Sequence, residues 1–390
     1  MFSRALILFA GLTLVLQGCG PSASAPSQPA GPPARVAAPA AASAVPASAA
    51  VPASAPTAPV SASVPAQPTA GRQPATQSRA PLPSRIVLGG TSGSSTHQVY
   101  LAAATKVFNS IPSGPNVTLV ETGGGVENLK RAMKGEFQIF LGSSDGYYQA
   151  LHGIGPFANN AWPELRMLYY YTAPPDLAVV REDSGVKTLY DLNGKDFNPG
   201  IRGSTTEKRW EASLGLLGIK PRYYRGSTED TVGAIKDKRI AGYAKAQVGM
   251  SLDTSTLELM LSTPLRILSY STADRDKVLK EFPYYSFLTV MPGTYKDQKE
   301  PIVTLATAIG VATSTQLPEE AAYQLVKAIV DDARPGGAGV QTAAFPVIKD
   351  VSIPELTLEV TNTPLHAGAV RLFRERGLTV PAALVPPETR

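Results

Sequence analysis

The sequence predicts an α/β protein of two lobes standing behind a long unfolded tether, and three observations carry that reading. Short apolar runs alternate with stretches of helical period from Ile86 onward. About 305 residues follow Ser84, more than a single core usually organises. Before that point Ala, Pro and Ser dominate, and the composition changes abruptly near Arg85.

The first eighteen residues carry one charge, Arg4, ahead of an apolar run over residues 5–16, the layout of a secretory signal peptide and too short to span a bilayer as a mature helix. The run ends in Leu16-Gln17-Gly18-Cys19, which resembles the lipobox of bacterial lipoproteins. That resemblance implies an acylated Cys19 as mature N-terminus, anchoring the chain to the lipid bilayer on the periplasmic side. Cys19 is the only cysteine, so an intrachain disulfide is excluded. Residues 19–84 have too little hydrophobic bulk to offset the entropy of ordering and read as a disordered linker. The formal charge of +5 is concentrated here: residues 1–84 hold four arginines and no acids, and the remainder carries 32 basic against 31 acidic residues. No nucleic-acid partner is expected of so balanced a surface.

Within the folded part, Ile86-Val87-Leu88 and residues 117–120 and 137–141 read as strands. Tyr100, Ala104, Val107 and Phe108 mark the buried face of a first helix. Val126, Leu129 and Met133 mark a second, which Gly135 ends. Ser204 with Glu207 fits a capping box, and Trp210, Leu214 and Leu217 then form the apolar face of a third. Three times a strand-like run gives way to a small polar loop and then a helix, over residues 89–95, 122–125 and 200–206. In open α/β sheets ligands bind beyond the carboxyl ends of strands, where helix starts present unpaired N–H groups and partial positive charge. Each loop taken alone reads equally as a cap or a tight turn; their recurrence favours a binding site for a carboxylate.

Sharper chemistries fit less well. His97, His152 and His366 lie far apart with no ligand spacing, so neither a metal nor a cofactor is expected. The glycine-rich loop from Gly89 lacks the lysine of a phosphate loop. The one enzymatic alternative is Gly142-Ser143-Ser144-Asp145-Gly146, a G-x-S-x-G between a strand-like run and a helix. A serine hydrolase built on Ser144 would need an acid and then a histidine downstream, which Asp331 or Asp332 and His366 supply in order. The plainer reading of that segment is another strand-to-helix loop in which Asp145 turns or caps the chain.

Several spaced motifs together resemble the TAXI solute-binding proteins of TRAP transporters. They are Ser92-Gly93-Ser94-Ser95-Thr96 ahead of Val99-Tyr100, Thr122-Gly123-Gly124 with Glu127-Asn128-Leu129, and Gly135-Glu136-Phe137. Further along come Ser144-Asp145, Gly203-Ser204-Thr205-Thr206-Glu207, Pro292-Gly293-Thr294-Tyr295 and Pro364-Leu365-His366-Ala367-Gly368-Ala369. The resemblance implies a two-lobed periplasmic-binding-protein (type II) fold that closes on a small carboxylate, glutamate or a related dicarboxylate, and delivers it to a TRAP membrane permease without catalysis. It also makes Ser144-Asp145 a binding loop and His366 a helix cap. This sequence departs from the family pattern at His97 and Gln98, where glycine or threonine is usual, and at Gly125, Ser143 and Thr205. Lys245 and Gln247 stand where an aromatic and a small polar residue are usual.

The expected lobes are residues 85–176 with 284–390, and residues 177–283. The carboxylate is expected on Ser92, Gly93, Ser94, Ser95, Thr96 and His97; on Thr122, Gly123 and Gly124; and on Ser204, Thr205 and Thr206. Ser144, Asp145, Lys245 and Gln247 complete the candidate site, with one of Tyr169, Tyr170 and Tyr171 covering the ligand and Tyr171 the chosen candidate. Lys245, if it faces the cleft, favours a second acidic group on the ligand. The protein is expected to act as a monomer; a lobe that reports to a signalling partner is the remaining alternative.

Overall fold

The computed structural model describes residues 82–390. The signal peptide, Cys19 and nearly all of the tether lie outside the described residues. The folded chain starts slightly before Arg85: Leu82 packs against the first core, and the Ser84 carbonyl accepts the Asn116 amide at 3.0 Å. Among the described residues no helix is long and apolar enough to cross a membrane.

Strands β1 (Arg85–Gly89), β2 (Asn116–Val120) and β3 (Ile139–Ser143) run parallel in the order β2-β1-β3, with helices α1 (Thr96–Asn109) and α2 (Gly125–Ala132) as crossovers. The predicted helical face is the buried one: Tyr100, Ala104, Val107 and Phe108 all lie in the first core. Gly124 opens α2 at φ +111°, a conformation closed to most side chains, and Gly135 follows the helix at φ +80°. Beyond β3 come α3 (Ser144–His152) and β4 (Leu165–Thr172), whose eight residues are all buried.

The chain then crosses to a second sheet at β5 (Pro175–Arg181). There follow β6 (Asp196–Asn198), α4 (Thr205–Leu216), β7 (Arg222–Tyr223), α5 (Thr228–Lys236) and β8 (Gly242–Ala246). After them come α6 (Thr254–Ser262), β9 (Leu265–Leu268), α7 (Thr272–Glu281), β10 (Ser286–Val290) and β11 (Ile302–Ala306). The strand order is β10-β11-β5-β8-β6-β7, with β9 also paired to β5. Alternation along β5 explains why its middle, Leu177 to Val180, is continuously apolar. Ala178 and Val180 join a core with Trp210 and Leu214 of α4, while Leu177 and Val179 join another with Ile235 of α5 and Leu259 of α6.

Strand β12 (Ile309–Ser314) returns to the first sheet and inserts antiparallel between β3 and β4, giving β2-β1-β3-β12-β4. Helices α8 (Glu319–Ala333), α9 (Val340–Ala344), α10 (Ile353–Val360) and α11 (Ala367–Glu375) cover that lobe. Two α/β lobes joined by two crossings make this the two-lobed periplasmic-binding-protein (type II) fold.

The return crossing lies later than the sequence indicated. Strands β10 and β11 belong to the second sheet, so the chain returns at Thr307 rather than before Tyr284. The reason is pairing: β11 lies antiparallel on β5, with Leu305 opposite Asp176. The Thr307 amide also donates to the Pro174 carbonyl at 3.2 Å. The outward and returning segments are thus hydrogen-bonded neighbours, a connection between residues far apart in sequence.

Candidate functional site

Helices α1, α2 and α3 start at the ends of β1, β2 and β3, and α4 starts after β6. Their first residues, drawn from both lobes, enclose one cavity of about 60 Å³. Ser95 and His97 come from α1, Gly124 and Gly125 from α2, Ser143 from the N-cap of α3, and Ser204, Thr205 and Thr206 from α4. A helix start carries N–H groups without an intrahelical partner and about half a positive charge, and four such starts meet here, although the first amides of α1 and α3 are already spent on Asp253 Oδ2 and the Ala308 carbonyl. One water needs about 10–15 Å³ by this measure, so the space suits a ligand the size of a handful of waters.

Two full cations also line the cavity, Lys245 on β8 and Arg209 on α4. Lys245, 5% exposed, has its ammonium 3.4 Å from Ser95 Oγ and 3.8 Å from Asp253 Oδ1. Lys245, Ser255 and His97 together hold the Asp253 carboxyl below the usual range, although burial opposes them. Arg209 is fully buried and bridges the lobes. Its Nη1 donates to Asp145 Oδ1 at 2.7 Å, and its Nη2 and Nε donate to Asp176 Oδ2 at 2.6 and 3.2 Å. Burial raises the Asp176 carboxyl against the pull of Arg209. Ser143 Oγ and Thr307 Oγ1 donate to the same oxygen of Asp145, at 2.7 and 3.1 Å.

The lobes touch at several points beside the cavity. Ser92 Oγ donates to Glu229 Oε2 at 3.3 Å, and the Thr96 amide donates to Asp253 Oδ2 at 3.2 Å. Thr96 Oγ1 lies 3.0 Å from Thr254 Oγ1, and Ser143 Oγ lies 2.7 Å from Thr205 Oγ1. The Glu127 amide donates to the Gly203 carbonyl at 3.0 Å. His97 joins this set: Nδ1 lies 3.0 Å from the Tyr171 hydroxyl and Nε2 3.1 Å from the Gln247 carbonyl. Burial pushes its pKa down to about 4.

The predicted residues therefore divide. Ser95, His97, Gly124, Ser204, Thr205, Thr206 and Lys245 line the cavity. Ser92 and Thr96 make lobe-to-lobe contacts, Ser94 Oγ lies 3.5 Å from Ser92 Oγ, and the Gly93 amide donates to Glu121. Thr122 Oγ1 accepts the Gly124 amide at 3.1 Å, and the Gly123 amide donates to Glu127 Oε2 at 2.9 Å, so those two N–H groups serve the turn. Tyr171 does not cover the cavity. It stacks on Tyr100 at 3.7 Å between ring centroids and holds His97 from behind. Gln247 supports the wall, its Oε1 accepting the Asp253 amide at 2.9 Å.

The hydrolase constellation is not assembled. Ser144 Oγ accepts the Ala308 amide at 3.3 Å. His366 spends Nε2 on the Leu317 carbonyl and Nδ1 on the Gly368 amide, as the N-cap of α11. Asp332 accepts the Val340 and Gln341 amides, and Asp331 pairs with Lys327 and Arg376.

Sequence reasoning missed Thr91, Arg209 and Thr307. Thr206, Arg209 and Ser213, all buried, form a polar stripe at helical spacing beside the apolar stripe of Trp210, Leu214 and Leu217, a signal that was present. Thr307 comes from the return crossing, where the sequence carries no such signal.

Comparison with known proteins places these features in a family. Residues 88–377 match the model of the NMT1-like family. Among solved structures, the chain is similar to MatC from Rhodopseudomonas palustris with bound malate, at 13% identity over 75% of this chain and 96% of that one, with a TM-score of 0.47. A protein of Bordetella bronchiseptica RB50 aligns at 14% identity over 76% and 98%, with a TM-score of 0.46. The ligand-binding component of an ABC-type import system from Staphylococcus aureus with zinc bound aligns at 14% over 78% and 97%, with a TM-score of 0.40. On the family match, which spans well over half of its length, the chain belongs to the NMT1-like family.

Proposed function

We propose that this protein is an extracytoplasmic solute-binding lipoprotein that captures a small carboxylate between its lobes and hands it to a TRAP-type membrane permease, catalysing no reaction itself. The observation that carries the reading is one cavity on which four helix starts and Lys245 converge. Such a place is a ready-made anion site, because N–H groups and dipoles point at the ligand without rearranging. The lobes divide at the two neighbouring crossings, and ligand shifts an open population toward the closed one. Cys19 and the tether hold the receptor to the membrane.

The test is a thermal-shift screen of the purified protein against short carboxylates, dicarboxylates, amino acids and simple esters. Ligand at about 100 times its dissociation constant stabilises the fold by roughly 2.7 kcal/mol. A rise in melting temperature with acids supports the reading; turnover of an ester, lost in Ser144→Ala, would replace it with the hydrolase.

A further inference from the structure

The cavity is lined by two cations and, among the described residues, by no Asp or Glu. The carboxylates just behind its wall are already engaged: Asp145 and Asp176 hold Arg209, and Asp253 faces Lys245 while accepting the Thr96 and Ser255 amides. Arg209 thus has two counter-charges of its own and little left for a ligand.

Lys245 is the opposite case. Its ammonium has three donors, yet among the described residues its polar contacts are one hydroxyl at 3.4 Å and one carboxylate at 3.8 Å. The second distance is beyond hydrogen-bond length. A buried ammonium so thinly partnered is costly, and an anion in the cavity supplies what it lacks. His97 on the adjoining wall is neutral at pH 7 and adds no competing charge. Other parts of the lining are apolar, formed by Leu141, Ile201, Ala244, Ala246 and Ile309.

An amino acid would bring an ammonium as well as a carboxylate. Hydroxyls can accept from that ammonium but do not neutralise it, and Lys245 and four helix starts repel it. Within the carboxylate reading above, we propose that the ligand is a compact monoanion without an ammonium group: a short 2-hydroxy, 2-oxo or unsubstituted monocarboxylate. Its carboxylate pairs with Lys245, and its short chain lies against the apolar lining. This narrows the class implied by the resemblance and departs from the expectation that a cleft-facing Lys245 favours a second acidic group: Lys245 is taken here as the partner of the single carboxylate, glutamate carries an ammonium, and a dicarboxylate brings a second charge into a small space.

Calorimetric titration of the purified full chain with matched acids tests this: lactate against alanine, 2-hydroxybutyrate against 2-aminobutyrate, and 2-hydroxyglutarate against glutamate. The expected result is at least tenfold tighter binding of the hydroxy acid in each pair that binds, with the three- and four-carbon monoacids ahead of the five-carbon diacid. Lys245→Met is expected to weaken the best hydroxy acid at least tenfold. Should that variant not fold, the pairs measured on the unaltered protein still decide. Equal or tighter binding of the amino acids overturns this inference while leaving the carboxylate reading standing. Silence from both members of every pair, and from pyruvate and acetate, overturns the two together.

Discussion

His97 shows how a single side chain ties function to stability. It is buried against Phe345 and Tyr171, and its two ring nitrogens meet a hydroxyl and a carbonyl, the partners of a neutral imidazole. Burial lowers its pKa from 6.5 to about 4, and His366, bound to the Leu317 carbonyl, is lowered to about 4 for the same reason. Below pH 6.5 the unfolded chain takes up protons that the native chain refuses, so stability falls as pH drops from 6.5 toward 4. Each histidine contributes a loss on the order of 3 kcal/mol across that window. Urea unfolding at stepped pH is expected to show this slope, and His97→Gln to flatten part of it. An unchanged slope in that variant would remove His97 from the account. Arg209 lies at the other extreme of burial cost. Arg209→Leu leaves Asp145 and Asp176 buried without their cation, and is expected to lower unfolding free energy by about 3–5 kcal/mol, read from the same urea titrations at pH 7.

Helix α4 shows the next scale. Its N-cap was legible: Ser204 Oγ accepts the Glu207 amide at 3.0 Å. The reciprocal half differs, because Glu207 Oε2 accepts from the Gly203 amide at 2.9 Å instead of from Ser204. Gly203 takes φ +85° there, which turns its N–H toward the carboxylate. Ser204 also lines the cavity, so one hydroxyl both starts the helix and faces the ligand. Ser204→Ala is expected to cost about 1 kcal/mol of stability and to weaken acid binding, a pairing that melting curves and calorimetry on one sample resolve. A cap-only role would leave affinity unchanged. The apolar stripe of α4 was readable because period alone reveals it. The polar stripe that includes Arg209 was overlooked because an arginine is usually solvated, and only its packing between two lobes buries it.

For the whole molecule, closure depends on how near the lobes approach. A Cβ on Gly123 would lie 2.1 Å from the Arg202 carbonyl oxygen, which belongs to the other lobe. That contact is impossible without separating the lobes, since the obstacle is backbone. On the proposed closure, Gly123→Ala is therefore expected to fold normally, bind acids at least tenfold more weakly, and lack the ligand-induced decrease in radius of gyration that small-angle scattering is expected to show for the parent protein. Retained compaction in that variant would show that closure stops short of the geometry described. The two crossings are neighbours, the Thr307 amide donating to the Pro174 carbonyl, so the proposed closure would bend both at one place.

Local order and periodicity in the sequence determined the α/β class, the first two crossover helices, the cap at Ser204 and the three polar loops, because neighbours in the chain specify each of them. The resemblance to a known family, not local pattern, marked Lys245 as a departure in that segment. Tertiary structure alone decided that β10 and β11 pair with β5, that Arg209 is held between Asp145 and Asp176, and that Tyr171 stands behind His97 instead of over a ligand. Those outcomes depend on pairings between residues 33 to 74 positions apart and on strands that meet across the sheet. No local pattern encodes them, since their free energy comes from burial and charge pairing that exist only once the two lobes have formed.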